Sequence, residues 1–582
     1  MFVPLKLNTL FRIGIFFGGP AREREISFLG GKTTYTGLDR YLFEPIPVFI
    51  DGRGNFILLE TQYMEAASIR DFYPPQSFVR TEGYPFRVYE ESLELTPEQE
   101  ENMISQVGKR LMPHEFRQYF DFAFLAVHGP QLEDGAIQGL LEWYGMPYYG
   151  SGLMGSGIGI DKITQNQLIQ QTVGLNKRLF SLSKSEWDEF DRELLFEQVK
   201  QNVGFPFVCK APHQGSSIGV SFIRKDSQEV FEKGVRQSFF QQEIRPDEWV
   251  YLSDEEKGAF LQRVTNLDEG IAFPLTLNGE TTIAHPADLW KALDEQFAAQ
   301  YCIVMLSSIH AEDAVLFESF VYGQEFSCGV IQDFDGSPLA LPPSEVIKAD
   351  EDVVFDFATK YLTNTVRKGM PIRTSLENNQ EVHRMVKETF RLLGFGVCTR
   401  IDGFLTPAGE VLLHDPNTLP GMSPSSFIFK QMAEIGLNVT DSLTYFIRFS
   451  IRERIRTGKF TTLLRQQLAR LDEAIEQRVA GLPQREVKTI TFTATDESYE
   501  LAKKLYNVLT ASAEYRPEII YTHSDGRELI LNAAFMAKPS IADLELSLSE
   551  PLHPLIEECR INAAAVTTFL TGELVPSMLV RS

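Results

Sequence analysis

Apolar runs interrupted by glycine and proline set the frame of this chain. Arg12 to Phe17 (R-I-G-I-F-F) reads as a buried strand, Gly18-Gly19 as a tight turn, and A-R-E-R-E-I-S as a helix start, with Glu23 in its first turn. That order places backbone N–H groups and a strand end at a ligand crevice, although the third glycine of the dinucleotide fingerprint is missing. Phe122 to Lys162 predicts a strand ending at His128-Gly129, a polar loop through Glu133-Asp134-Gly135, an amphipathic helix, and a glycine-dense domain joint from Gly150 to Gly159. Phe205 to Phe222 predicts two short strands around Gly215, Ser216, Ser217 and Gly219. Small residues there let backbone N–H groups and hydroxyls close over phosphate oxygens, with Lys210 as a point charge, but the Walker spacing is absent.

Residues from about Arg224 to Glu312 are polar, aromatic-studded and helix-like in places, with no assignable chemistry. Val315 to Ile331 gives two strand-like runs joined near Gly323, with Glu318 and Glu325 flanking the joint. Pro343 to Lys348 and the polar loop through D-F-A-T-K-Y (356–361) are long enough to form a lid. Arg400 to Ser426 is a hairpin signal, two apolar-rich runs around Pro407-Ala408-Gly409. A turn centred between Ala408 and Gly409 puts Asp402 opposite Asp415 and Arg400 opposite Asn417, all on one face beside Phe404 and Leu413. Two carboxylates and an amide oxygen suit a hard cation, and the guanidinium suits an anionic substrate. A surface Asp–Arg pair with an Asn turn fits the same residues.

Past the hairpin, Phe427 to Arg456 reads as one or two helices. A further helix (461–479), the alternating strand V-K-T-I-T-F-T-A-T, a helix from Glu497, strands near Glu518 and Leu529 and a helix near 554–570 follow. The length of 582 residues calls for several domains. The net charge of −24 argues against a nucleic-acid partner, while leaving room for a local basic pocket. Five scattered cysteines fit reduced thiols in a cytoplasmic protein, and no apolar run is long enough for a membrane span. The first apolar stretch leads straight into the Gly18-Gly19 motif, so the start does not read as a signal peptide.

Taken in order, G-G-x-x-x-E-R-E-x-S, H-G-x-x-x-E-D-G-x-x-Q-G-L-L-E, Y-x-G-S-G…D-K, K-x-x-x-x-G-S-S-x-G, E-x-x-x-x-G-x-E, D-F-A-T-K-Y and R-I-D…D-P-N-T-x-P-G-M-S-x-x-S resemble the D-alanine–D-alanine ligases of the ATP-grasp superfamily across most of residues 12–450. The resemblance implies an α/β and α+β multidomain fold. Its parts are an N-terminal open α/β domain (1–150), a central ATP-grasp subdomain (151–330) with an insertion at about 224–312, a C-terminal ATP-grasp subdomain (331–456) with lid 344–374 and hairpin 400–426, and an accessory α/β domain (457–582). It implies a cytoplasmic enzyme of peptidoglycan precursor synthesis that uses ATP and Mg2+, with Mn2+ as an alternative. ATP and one D-alanine give an acyl phosphate, which the amine of a second D-alanine attacks.

By the same resemblance Asp402, Asp415 and Asn417 hold the metal, and Lys162, Lys210, Lys360, Gly215 and Ser217 meet the phosphates. Glu318 and Val321 meet adenine, and Glu325 the ribose. Arg400 and the N–H of Gly421 stabilise the oxyanion. Glu23, in a network with Ser216 and Tyr361, holds the first ammonium; His128 lies by the first carboxylate, with Ser426 and Phe427 at the second. Tyr361 favours D-alanine over D-lactate in the second site. The family also implies a homodimer, small-molecule substrates, and no nucleic-acid or membrane partner. The chain departs from the pattern in three places: Asp415 before Pro416 where the family has Glu, the long 224–312 segment, and the region after 456. Ligation of other amino or hydroxy acids, or a non-catalytic ATP-binding scaffold, are the competing expectations.

Overall fold

The computed structural model describes residues 10–173, 177–268, 270–348, 366–423, 425–458, 461–523, 525–573 and 579–580. The first sheet is built from β1 (Phe11–Gly18), β2 (Phe43–Ile50), β3 (Phe56–Leu59), β4 (Gly108–Leu111) and β5 (Phe122–Leu125) in the order β4-β3-β2-β1-β5. β1 lies between β2 and β5 and is parallel to both, so its C-terminal end opens on a crevice between neighbouring strands. Gly18 and Gly19 leave that strand at φ +89° and +100°, which lets the chain turn into the helix Arg24–Gly37 with Glu23 at its N-cap. β5 ends three residues before His128, which sits in the following loop rather than on the strand.

The glycines from 150 to 159 are packed closely rather than spread along a loop. Leu153–Ile160 is a helix, and its glycines permit close packing: a Cβ on Gly159 would lie 2.7 Å from Thr418, and one on Gly155 would lie 3.0 Å from the Gly394 carbonyl. The helix Lys162–Val173 follows.

The second sheet begins with β6 (Leu179–Ser183), β7 (Phe207–Lys210) and β8 (Ser221–Ile223), and a later strand, Ala314–Ser319, pairs between β6 and β7. Before the chain returns to it, residues of the 224–312 segment, expected to be helix-like in places, form a sheet of their own. The strands β9 (Gln241–Ile244), β10 (Leu275–Leu277), β11 (Thr281–Ile283) and β12 (Val304–Ser308) pair as β11-β10-β12-β9, beside the helices Asp254–Val264 and Pro286–Ala299. Each of its strands has only three to five residues, too few to show as an alternating pattern.

β13 (Ala314–Ser319) completes the second sheet, and β14 (Gln324–Gln332) begins the next. The two runs joined near Gly323 therefore pass from one sheet to another. The six-stranded sheet runs β17-β16-β14-β18-β19, from β16 (Ser344–Lys348), β17 (Val366–Gly369), β18 (Cys398–Leu405) and β19 (Val411–Asn417), with β15 (Pro338–Ala340) beside β14. The lid residues 349–365 lie outside the described residues.

Two helices, Phe427–Glu434 and Val439–Arg456, follow the hairpin. Beyond them, β20 (Glu486–Thr493), β21 (Tyr515–Thr522), β22 (Glu528–Leu531) and β23 (Leu579–Val580) form a sheet whose apolar cluster, around Phe492, Tyr499 and Tyr521, is separate. Thr461–Gly481 and the last helices, by contrast, pack in the main core with the first sheet. Buried Arg478 fixes that junction, binding Asp39 at 2.6 Å, Asp441 at 2.9 Å and the Leu570 carbonyl at 2.8 Å.

Candidate active site

The hairpin forms between β18 and β19 as expected, but its register and one member of its face differ. Leu405 pairs with Val411 and Asp402 with His414, so the turn centres on Ala408, half a residue from the expected position. The register then shifts, and Arg400 does face Asn417. The extra residue is accommodated at Asp415-Pro416: Asp415 has φ +45°, a left-handed conformation, and Pro416 has no N–H to give the ladder. This bulge swings Asp415 onto the face where strict alternation would hide it. Leu413 opposes Gly403 and is fully buried on the other side; His414 takes its place, stacked on Phe404 at 5.1 Å between centroids.

β14 extends this face, because Ser327 opposes Asp402, Glu325 opposes Phe404 and Gly329 opposes Arg400. Ser327 Oγ donates to Asp402 Oδ1 at 2.7 Å, while Arg400 grips the same carboxylate through Nε at 3.1 Å and Nη2 at 3.0 Å. Asn417 Oδ1 accepts the N–H of Leu419 at 3.0 Å.

Across the cleft, Lys210 opposes Leu316 and therefore shares a face with Glu318, two residues along β13. Its Nζ lies 2.8 Å from Glu318 and 3.3 Å from Asp415. Lys177, which no sequence motif marked, also contacts Glu318 at 2.8 Å, and Asn166 donates to its other oxygen at 3.2 Å. Burial opposes ionisation of Glu318, but the two lysines outweigh it and hold the carboxyl down to about 2. Asp415 is likewise held well below the usual carboxylate range against its burial, by Lys210, Lys162 and His414. Burial lowers Lys177. Lys162 Nζ donates to the Gln214 carbonyl at 2.5 Å, tying that lysine to the loop between β7 and β8.

These groups line a cleft of about 1170 Å³ that also includes Gly215, Ser217, Val321 and Glu325. A smaller cavity of about 60 Å³ is lined by Glu23, His128, Gly421, Ser426 and Phe427. Ser216, Arg400, Asp402 and Asn417 line both, so the cavities meet at the hairpin. In the small cavity Ser216 Oγ donates to Glu23 Oε1. His128 contacts Glu133 at 3.4 Å, and Glu133 also accepts the Gly129 N–H at 2.7 Å. Glu23 Oε2 and His128 Nε2 are buried with no hydrogen-bond partner among the described residues. Burial and the charge of Glu133 raise the Glu23 carboxyl. Burial disfavours a charged His128, yet its hydrogen bond to Glu133 and the charges of Glu133 and Glu23 raise it.

The predicted residues thus converge, apart from Lys360 and Tyr361, which lie outside the described residues. His414, Lys177, Glu133 and Ser327 are additions. Glu133 was visible as a loop carboxylate without a role, and His414 follows from the register once the bulge is known.

An α/β protein with a lysine-lined cleft opening onto a small acid- and histidine-lined pocket has the form of a nucleotide-dependent enzyme for a small polar substrate. Family models described as "D-ala D-ala ligase N-terminus" and "D-ala D-ala ligase C-terminus" match residues 12–151 and 298–448, together half the chain. The chain belongs to the D-alanine–D-alanine ligase family. It is 24% identical over 452 residues to the D-alanine–D-alanine ligase of Natranaerobius thermophilus, covering 78% of this chain and 98% of that one. To D-alanine–D-alanine ligase A of Chromobacterium violaceum it is 26% identical over 449 residues, covering 76% and 95%. The solved D-alanine–D-alanine ligase of Coxiella burnetii aligns with TM-score 0.49 and 18% identity over 79% of this chain and 99% of that chain.

Proposed function

We propose that the protein joins two D-alanines at the expense of ATP, through an acyl phosphate, for peptidoglycan precursor synthesis. The observation that carries this reading is the junction of the two cavities at Ser216, Arg400, Asp402 and Asn417. A carboxylate in the small pocket and a polyphosphate in the cleft meet there and nowhere need to cross protein.

The first D-alanine places its ammonium on Glu23, which burial keeps short of a compensating charge, and its carboxylate near His128, whose raised basicity supplies one. Lys162, Lys210 and the loop at Gly215 to Ser217 receive the phosphates; Glu318 and Val321 face adenine, and Glu325 the ribose. A carboxylate oxygen attacks the terminal phosphorus and ADP leaves, turning a poor electrophile into an acyl phosphate. The second amine, with its carboxylate at Ser426 and Phe427, attacks the carbonyl. Arg400 and the Gly421 N–H stabilise the oxyanion, and phosphate departs. Positioning and charge neutralisation carry most of the rate.

Asp402, Asp415 and Asn417 offer only oxygen donors, and Asp415 Oδ1 is buried with no hydrogen-bond partner among the described residues, which fits Mg2+. When bound, that ion neutralises phosphate charge. Among the described residues no helix is long and apolar enough to cross a membrane. The free cysteines and the use of ATP support a cytoplasmic setting.

Phosphate release from ATP and Mg2+, screened over D- and L-amino acids and D-lactate, tests the reading. Release with D-alanine alone is expected. Release only with another acceptor pair would support ligation of different acids, and ATP binding without release would make the chain a scaffold.

A further inference from the structure

The loop between β7 and β8 holds a costly conformation. Ser216 and Ser217 are consecutive non-glycine residues in the left-handed region, at φ +50° and +62°. Such a turn persists only where its surroundings hold it, and two grips are visible. Glu23 binds Ser216 on the side of the small pocket. On the other side stands Glu312, just past β12. Its Oε2 lies 2.7 Å from His213 Nδ1, and its Oε1 accepts from Gln214 Nε2 at 2.7 Å. Gln214 is the residue whose carbonyl takes Lys162 Nζ. Ser238, at the other end of the 224–312 segment, donates to the Gly219 carbonyl at 2.8 Å. The segment therefore holds both ends of the loop.

The segment is itself anchored to the connection between β3 and β4. Trp249, Leu261, Leu289 and Leu293 share one buried cluster with Tyr73 and Phe86. Gln262 exchanges hydrogen bonds with the backbone of Arg87, at 2.9 and 3.1 Å. Arg22, the neighbour of Glu23, is buried in the segment. It donates to the carbonyls of Leu267 (3.1 Å), Gly270 (3.2 Å) and Ile271 (3.0 Å) and to Ser308 Oγ (3.2 Å), with its guanidinium 3.6 Å from the Phe240 ring centroid.

We propose that the 224–312 segment is a strut for catalysis, and that Glu312 is a positioning residue that keeps the phosphate loop in its left-handed turn. Arg22, bound into the strut, is the chain neighbour of Glu23, so the loop that covers phosphates and the group that holds the substrate ammonium are set against one frame. Glu312 lines neither cavity; it acts through His213 and Gln214. The inference rests on the proposed ATP-dependent reading for its kinetic consequence, but not for its structural one.

Hydrogen exchange by mass spectrometry on the full-length protein reads the structural part without turnover. In Glu312→Ala, amides of residues 211–219 are expected to exchange about tenfold faster while those of 241–308 keep their rates. His213→Ala, a change at a partly exposed side chain, should act in the same direction if Glu312→Ala fails to fold. Lys291→Ala, on an outer helix face, should change nothing. The kinetic signature is a rise of about tenfold in KM for ATP with kcat within about twofold, because the loop's order is lost from ground and transition states alike. Unchanged exchange in 211–219, or faster exchange throughout 241–308, would overturn the proposal. Wild-type protein that releases no phosphate would sink the ligase reading instead, leaving the exchange result to stand or fall alone.

Discussion

Two buried groups of carboxylates in this molecule are treated in opposite ways. In the cleft, Glu318 and Asp415 share Lys210, with Lys177 on Glu318, and both are held in the charged form despite burial. Beside the first sheet, Glu90 and Glu91 share one arginine, with Arg24 2.6 Å from Glu91 and 3.9 Å from Glu90, and Asp51 adds a further negative charge near Glu90. There burial and Glu91 push Glu90 up to about 8, and burial raises Asp51. A cluster with matched cations keeps its charges available to a ligand. Where cations are too few, a buried carboxyl such as Glu90 holds its proton to higher pH, and the neighbouring hydrogen bonds serve the fold, as where Asp51 accepts from Asn55, Arg53 and Tyr73.

The contrast can be broken most forcefully at the hairpin. Asp402→Asn should lower turnover by about 10³ or more while the melting transition moves by no more than a few degrees. Full activity would remove Asp402 from the reacting centre. Lys210→Met comes next: ATP affinity should fall by at least tenfold, and stability at neutral pH by about 3 kcal/mol, because two buried carboxylates lose their shared cation. Calorimetry and denaturant titration read these separately, and a stable variant with intact affinity would contradict the balance described for the cleft.

The pH dependence of the two clusters has opposite sign. Glu318, depressed to about 2, adds stability that is present above its ordinary value of 4.5 and is lost as pH falls toward 2. Glu90, raised to about 8, adds stability that is full below 4.5 and is lost as pH rises through 8. Glu90→Gln keeps an acceptor for the Gly52 N–H and should flatten that alkaline loss, by up to about 1.4 kcal/mol per pH unit, without changing turnover. Equal slopes in wild type and variant would show that Glu90 is not the proton store. The smallest effect is expected at Asp415→Glu. If the bulge already brings the shorter carboxylate forward, the added methylene overshoots, and half-saturating Mg2+ should rise severalfold. A lower Mg2+ requirement would mean the bulge leaves the carboxylate short.

Much of this site was legible because it is carried by local patterns. The β7–β8 loop, the β1 turn and the hairpin each announce themselves through glycine, proline and short apolar runs. What escaped depends on geometry that no single strand encodes. The half-residue error at Asp402 came from assuming a regular ladder, although Asp415-Pro416 in mid-strand is the signature of a bulge. The helix Leu153–Ile160 was hidden because glycine reads as a breaker, while here it permits close approach to Thr418 and Gly394. Lys177 reaches Glu318 only through tertiary packing. The sheet within 224–312 has strands too short to alternate visibly, and its role depends on Arg22, more than two hundred residues away from the carbonyls it binds.

The most direct test of the central chemistry follows an oxygen atom. With ATP, Mg2+ and D-alanine whose carboxylate carries 18O, each phosphate released should contain one 18O, because a carboxylate oxygen becomes part of the acyl phosphate and leaves with phosphorus when the second amine attacks. Unlabelled phosphate would mean that water, not D-alanine, attacks ATP in this cleft, and would contradict the account.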